Sequence, residues 1–120
     1  MLRSTTLSIS INRDPGTVYE FVLNPENLPR WAIMAFRSVK QRNNKWIAET
    51  PKGPTKVSHT KRNEFGILNH YVKISSGVDV FVPMHVVQNG NGSEMIFMVF
   101  QTTDMSEEKF AEDVVWLRKI

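Results

Sequence analysis

Leu7, Ile9 and Ile11 alternate with Thr6, Ser8, Ser10 and Asn12, a period of two that predicts a half-buried first strand. Asp14-Pro15 follows. Asp is a good N-cap and Pro suits the first helical position, where its missing N–H costs nothing. A helix is therefore expected from Pro15, with Val18, Phe21 and Val22 as its apolar stripe. Asn24-Pro25 stops this helix and starts a short second one, which Pro29 must end, with Trp31 just beyond.

From about Ile33 to Thr103 the pattern predicts antiparallel strands. Asn43-Asn44 separates two of them, followed by Lys45–Thr50 and the breaker Pro51-Lys52-Gly53-Pro54. Phe65-Gly66 can close a tight hairpin between Lys56–Glu64 and Ile67–Ser75, and Ser76-Gly77 marks the next turn. Asn89-Gly90-Asn91-Gly92 is the strongest hairpin signal, joining Val78–Gln88 to Ser93–Thr103. Ser106 then caps a closing helix, with Glu107 and Glu108 in its first turn and Arg118 and Lys119 in its last. Phe110, Val114 and Leu117 make its buried stripe, widened by Ala111 and Val115, and no Gly or Asn stop precedes Ile120.

The expected order is one strand, two short helices, six strands and one helix, an α+β arrangement of about seven strands. A long amphipathic helix needs an apolar surface, and a curved antiparallel sheet offers one on its concave face. Helix and sheet cannot close along their full length, so a cavity is expected between them.

Composition narrows this only a little. A chain of 120 residues, 41% hydrophobic and 22% charged, reads as one ordinary globular domain. No apolar run approaches the ~20 residues of a membrane helix, so membrane insertion is not expected. Met1-Leu2-Arg3-Ser4-Thr5 has no signal-peptide core behind it, and a cytoplasmic protein is the default. The absence of cysteine excludes disulfides, thiolate chemistry and sulfur-rich metal sites. Net charge is +3 but uneven, with nine Lys or Arg between Arg37 and Lys73 against Glu49 and Glu64. Solvated strand faces explain most of this; little aromatic interleaving accompanies the basic residues, which argues against nucleic acid.

Three segments resemble the START-like, or helix-grip, superfamily, and within it the polyketide cyclase/dehydrase-like proteins. They are Ile9–Trp31, with Asp14-Pro15-Gly16 and Asn24-Pro25-Glu26; Asn63–Val72; and Val82–Met95 followed by Met105-Ser106-Glu107-Glu108. The resemblance implies a single helix-grip domain over 1–120, its antiparallel sheet wrapped around a long C-terminal helix. It also implies a small hydrophobic, aromatic, polyketide-like or lipid ligand. The final helix is shorter than is usual in such proteins, which would leave the cavity mouth open or invite a second copy of the chain to cover it. Carriers and enzymes share this scaffold, so activity has to be argued from the site.

Strand parity locates that site. If Phe65-Gly66 is a two-residue turn, Val57, His59, Lys61 and Asn63 share a face with Leu68, His70, Val72 and Ile74. This face is the more apolar and should point inward, placing His59, His70 and Asn63 on the cavity wall. Histidines there can bind a ligand carbonyl or hydroxyl, or make a purely structural hydrogen bond. As catalysts, His70 or His59 would move a proton while Asn63 polarises an oxygen. Pairing across Gly90-Asn91 turns Met84 and Val86 inward opposite Phe97 and Met95, and His85 outward. The apolar lining would come from Trp46, Met84, Phe97, Phe110 and Val114, with Met95 and Val99. A zinc site is not expected, because the nearest acid, Glu64, belongs to the outer face. No cofactor motif is present. Binding of a small molecule leads, with a cyclase, dehydrase or isomerase activity and a protein-interaction module as alternatives.

Overall fold

A computed structural model of the chain describes residues 1–31, 36–50, 53–73, 79–101 and 108. Strand β1 (Ser4–Ile11) leads into helix α1 (Pro15–Leu23), a single 3-10 turn (Pro25–Asn27) and the short helix α2 (Leu28–Trp31). Seven strands follow: β2 (Ser38–Arg42), β3 (Lys45–Thr50), β4 (Gly53–His59), β5 (His70–Lys73), β6 (Asp79–Val82), β7 (Met84–Asn89) and β8 (Gly92–Phe100). The expected closing helix, with Phe110 and Val114, lies outside the described residues. Among the described residues no helix is long and apolar enough to cross a membrane.

The first helix forms as its sequence dictates. Asp14 caps it, accepting from the Thr17 backbone N–H at 3.1 Å and the Thr17 hydroxyl at 2.6 Å, and Pro15 occupies the first turn. These bonds hold the Asp14 carboxyl below its usual pKa, first through the Thr17 side chain. Replacing an N-cap acid removes a partner from an otherwise orphaned N–H, so Asp14→Ala should lower stability by about 1 kcal/mol in urea unfolding. The buried stripe is Val18, Tyr19, Val22 and Leu23, whereas Phe21 is exposed. Asn24 ends α1 and caps the 3-10 turn through the Glu26 N–H. Pro29 does not end the second helix as expected. It sits in the first turn of α2, where the missing N–H has no intrahelical partner to lose, and Trp31 is inside that helix.

The strands form two antiparallel sheets, ordered β1-β8-β7 and β2-β3-β4-β5-β6, rather than one continuous sheet. The expected strand Val78–Gln88 divides at Pro83, which accounts for eight strands instead of seven. Proline has no N–H for a ladder, so the chain changes sheet there: β6 pairs with β5, β7 with β8. The Pro83 carbonyl still accepts from the Met98 N–H at 3.1 Å. The β7–β8 hairpin keeps the expected register, Asn89 opposite Gly92, Val86 opposite Met95 and Met84 opposite Phe97. Between β2 and β3, Asn43 and Asn44 both have positive φ, 52° and 63°, the signature of a tight primed turn.

The 59–70 connection differs most. The tight hairpin at Phe65-Gly66 does not form; β4 ends at His59, β5 begins at His70, and His59 stands directly opposite His70. The register is two residues away from the expected one. An even shift leaves every side chain on its expected face, so the inward and outward sets survive. The intervening loop instead crosses to β7, where Leu68 N–H donates to Met84 O at 2.9 Å and Val86 N–H to Gly66 O at 3.0 Å. Gly66 has φ 73°, and a Cβ there would lie 2.5 Å from the Val86 carbonyl oxygen, so only glycine permits this approach.

Two apolar clusters make the core. The larger packs α1 (Val18, Tyr19, Val22, Leu23) against Leu7, Leu68, Met84, Val86, Met95, Phe97 and Val99. The smaller joins Leu28 to Ala48 and Val57 on the five-stranded sheet. Trp31 packs against both. It sits where the two sheets meet.

Candidate functional site

The inner face of the five-stranded sheet carries Ala48, Thr55, Val57, His59, His70, Val72 and Val82 in register. Most of this surface is apolar. Thr55 hides its hydroxyl by donating to the Ala48 carbonyl at 3.1 Å. The polar exception is the histidine pair at the end of β4 and the start of β5, whose ring centroids are 5.8 Å apart.

His70 is 5% exposed. Its Nδ1 lies 2.7 Å from the Leu68 carbonyl oxygen. A carbonyl only accepts, so Nδ1 carries the proton and Nε2 presents a lone pair. Burial pushes the His70 pKa down to about 4, with the Leu68 carbonyl opposing that shift and His59 adding slightly to it. At neutral pH the ring is uncharged. Its Nε2 has no hydrogen-bond partner among the described residues. His59 is half-buried and holds the Thr60 carbonyl through Nδ1 at 2.9 Å, so it too offers Nε2 when neutral.

Trp31 packs edge-on to His70, centroids 5.5 Å apart and planes inclined by 70°. Its indole Nε1–H is buried, with no hydrogen-bond partner among the described residues. Leaving a buried donor unmade costs about 1–3 kcal/mol, so such groups are rare and call for an explanation. An orphaned donor therefore stands beside a histidine with an open acceptor. Sequence reasoning placed Trp31 only just beyond the second short helix; no local signal reveals that a tertiary contact has left its N–H unpaired.

The other anticipated residues divide. Trp46 is half-buried on β3 opposite Val57, on the same face as His59. Met84 and Phe97 are buried in the larger core cluster with α1. Phe110 and Val114 are outside the described residues, as is the expected cavity wall they would form. Asn63 lies in the 59–70 connection with its side chain fully engaged: Oδ1 accepts from the Phe65 and Ile67 N–H groups at 3.0 and 3.1 Å. Its Nδ2 donates to the Lys61 and Ile67 carbonyls at 3.0 and 2.9 Å. Its own backbone N–H donates to the Tyr19 hydroxyl at 2.7 Å. That amide has no group left for a ligand. Arg62, one residue earlier, pairs with Glu20 through both guanidinium nitrogens and ties the loop to α1. His85 is exposed, as expected, and its Nε2 donates to the Phe65 carbonyl at 2.8 Å. Among the described residues no cluster of acids and histidines is arranged to hold a metal.

No family model and no curated protein matches the chain. Solved structures do. A START superfamily protein from Mycobacterium smegmatis superposes with TM-score 0.64 at 10% identity, over 97% of this chain and 92% of that one. The Aha1 dimer from Colwellia psychrerythraea gives 0.69 at 11% identity, over 98% and 92%. Truncated norcoclaurine synthase from Thalictrum flavum gives 0.57 at 13% identity, over 95% and 81%. These likenesses show the fold: the chain is folded like the START superfamily protein and the other two.

Proposed function

We propose that this protein binds a small, mostly apolar molecule that carries a hydroxyl group. The observation that carries the reading is the buried, unpartnered Trp31 Nε1–H beside the open acceptor of His70. A hydroxyl is both donor and acceptor. Seated against the nitrogen edges of the two rings, its oxygen would accept from Trp31 while its proton goes to His70 Nε2. The surrounding Ala48, Val57 and Val72 would take the apolar body of the ligand by area burial. The names of the structural neighbours, a norcoclaurine synthase among them, support a scaffold that can serve small molecules but do not choose the ligand.

Binding is favoured over proton-transfer catalysis by the state of His70. A group with a pKa of about 4 is neutral at pH 7, so it carries no imidazolium proton to give and is a weak base. Its acceptor role survives that shift; an acid role does not.

Trp31→Phe is the test. It deletes only the orphaned donor and part of the ring. Apo stability should stay within about 1 kcal/mol of the parent, because removing an unsatisfied N–H offsets the lost packing. Affinity for a hydroxylated aromatic such as naphthol should fall about tenfold, the loss of one hydrogen bond in a desolvated site. A Trp31 that serves only as a packing anchor would give the reverse, reduced stability with unchanged affinity.

A further inference from the structure

The outer face of the five-stranded sheet brings together what the sequence keeps apart. Lys40, Ile47, Lys56 and Lys73 are successive partners across β2, β3, β4 and β5, and Arg42 stands opposite Lys45 in the neighbouring row. The lysines of this face are exposed, and among the described residues Lys45, Lys56 and Lys73 have no ion-pair partner. Like charges directly opposite on a sheet repel. Lys45, foremost, and Lys73 both depress the Lys56 pKa. Of the acids on this face, Glu49 stands between Ser38 and Pro54, off the lysine row, whereas Asp79 on β6 stands directly opposite Lys73 without forming an ion pair with it.

The same face carries an aromatic column. Tyr71 stacks on Phe81 with centroids 5.1 Å apart and planes inclined by 22°, and Phe81 on Phe100 at 6.4 Å and 9°. Tyr71 is 46% exposed and Phe81 40% exposed, although both sit in the middle of strands. Beyond Tyr71, on β4, the opposite residue is Ser58, whose side chain is too short to cover the ring. The free face of Tyr71 is thus flanked by Lys56 and Lys73, each one step along from the Ser58–Tyr71 pair on its own strand face. In the linear sequence this basic region has little aromatic interleaving; the fold sets its Tyr71 beside Phe81 of β6 and, beyond that, Phe100 of β8.

We propose that this outer face docks single-stranded nucleic acid, with Lys45, Lys56 and Lys73 on phosphates and Tyr71 stacking an unpaired base. The chemistry uses both halves of the surface. An acidic peptide would engage the lysines and leave the ring face in water. A duplex would keep its bases stacked within itself and find no helix here to enter its groove. Only an unpaired strand presents phosphates and open π-faces together. The site lies on the opposite side of the sheet from His59 and His70, so it does not depend on the small-molecule reading.

The experiment is fluorescence anisotropy of a labelled mixed-sequence single-stranded RNA of roughly ten nucleotides titrated with the full chain. Saturable binding is expected, with a log–log salt slope of about −2, from about −0.7 per neutralised phosphate over three contacts. Lys56→Glu combined with Lys73→Glu should weaken it at least about tenfold, and so should Tyr71→Ser, whereas Tyr71→Phe keeps the stacking surface and the affinity. Naphthol binding should be unchanged in all of them. Thermal melts confirm that the exposed substitutions leave the fold intact, and Lys45→Glu provides a second charge reversal beside a turn. The proposal is overturned by absence of saturable binding at physiological salt, or by a Tyr71→Ser variant that binds as tightly as the parent. It is equally overturned if a poly-glutamate peptide or anionic vesicles displace the RNA as well as unlabelled RNA does.

Discussion

Lowering the pH from 6.5 to about 4 should cost this fold about 3 kcal/mol, most of it through His70. The ring is buried and neutral in the folded state, with a pKa of about 4 against 6.5 for the free side chain. Between those values the unfolded chain binds a proton that the folded chain refuses. Stability is therefore complete above pH 6.5 and falls as the pH drops toward 4, at about 1.36 kcal/mol per unit. Exposed carboxyls act lower. Asp14, Glu20 and Glu94 are held below their ordinary values of 3.8, 4.5 and 4.5 by hydrogen bonds to Thr17, Arg62 and Ser10, so their share is full well above those values and is lost as the pH falls through and below them, at the acid end of this window. Urea unfolding at a series of pH values from 7 to 4.5 reads the slope. His70→Gln keeps an N–H for the Leu68 carbonyl but cannot titrate, and its stability should be nearly flat over that window. A parent protein with no such slope would mean that His70 is not a buried neutral imidazole.

Asn63→Ala should cost about 3 kcal/mol, by a route unrelated to ligand contact. Its amide makes four hydrogen bonds within the loop, two accepted and two donated. At about 0.5–1.5 kcal/mol each, with the Ile67 N–H and carbonyl left partly buried and unpaired, the sum is a large share of a small domain's stability. The loss is local at first. The loop is held to β7 by the Leu68 and Val86 amides, whose hydrogen exchange should quicken more than that of the β1–β8 ladder. Were Asn63 instead a ligand-polarising group, its removal would abolish binding and leave stability and exchange unchanged.

What the sequence made legible was whatever rests on local chemistry. The Asp14 cap, the Asn24-Pro25 restart and the Asn89–Gly92 hairpin each follow from residues within a few positions, and each is present. Parity placed His59 and His70 on one inner face although the assumed turn at Phe65-Gly66 does not exist, because the true register differs by an even number. Three things were hidden. Asn63 looks like any polar residue beside a turn until the loop closes on its amide and the Tyr19 hydroxyl, from α1, accepts its backbone N–H. Pro83 reads as part of one strand until two sheets compete for its neighbours. The Tyr71–Phe81–Phe100 column needs three strands, one of them from the other sheet. None of these is a feature that periodicity reports: the first is loop geometry, the other two are long-range contacts.

The central claim is that Trp31 and His70 share a ligand hydroxyl, and the most direct measurement is the indole N–H resonance of Trp31 by NMR during titration. Naphthol and naphthalene, equal in shape but for the hydroxyl, are the paired probes. The account predicts that naphthol shifts the Trp31 indole proton downfield in a saturable way, about tenfold more tightly than naphthalene, and that His70→Phe abolishes the difference. An indole resonance that does not move, or equal affinities for the two probes, would contradict it.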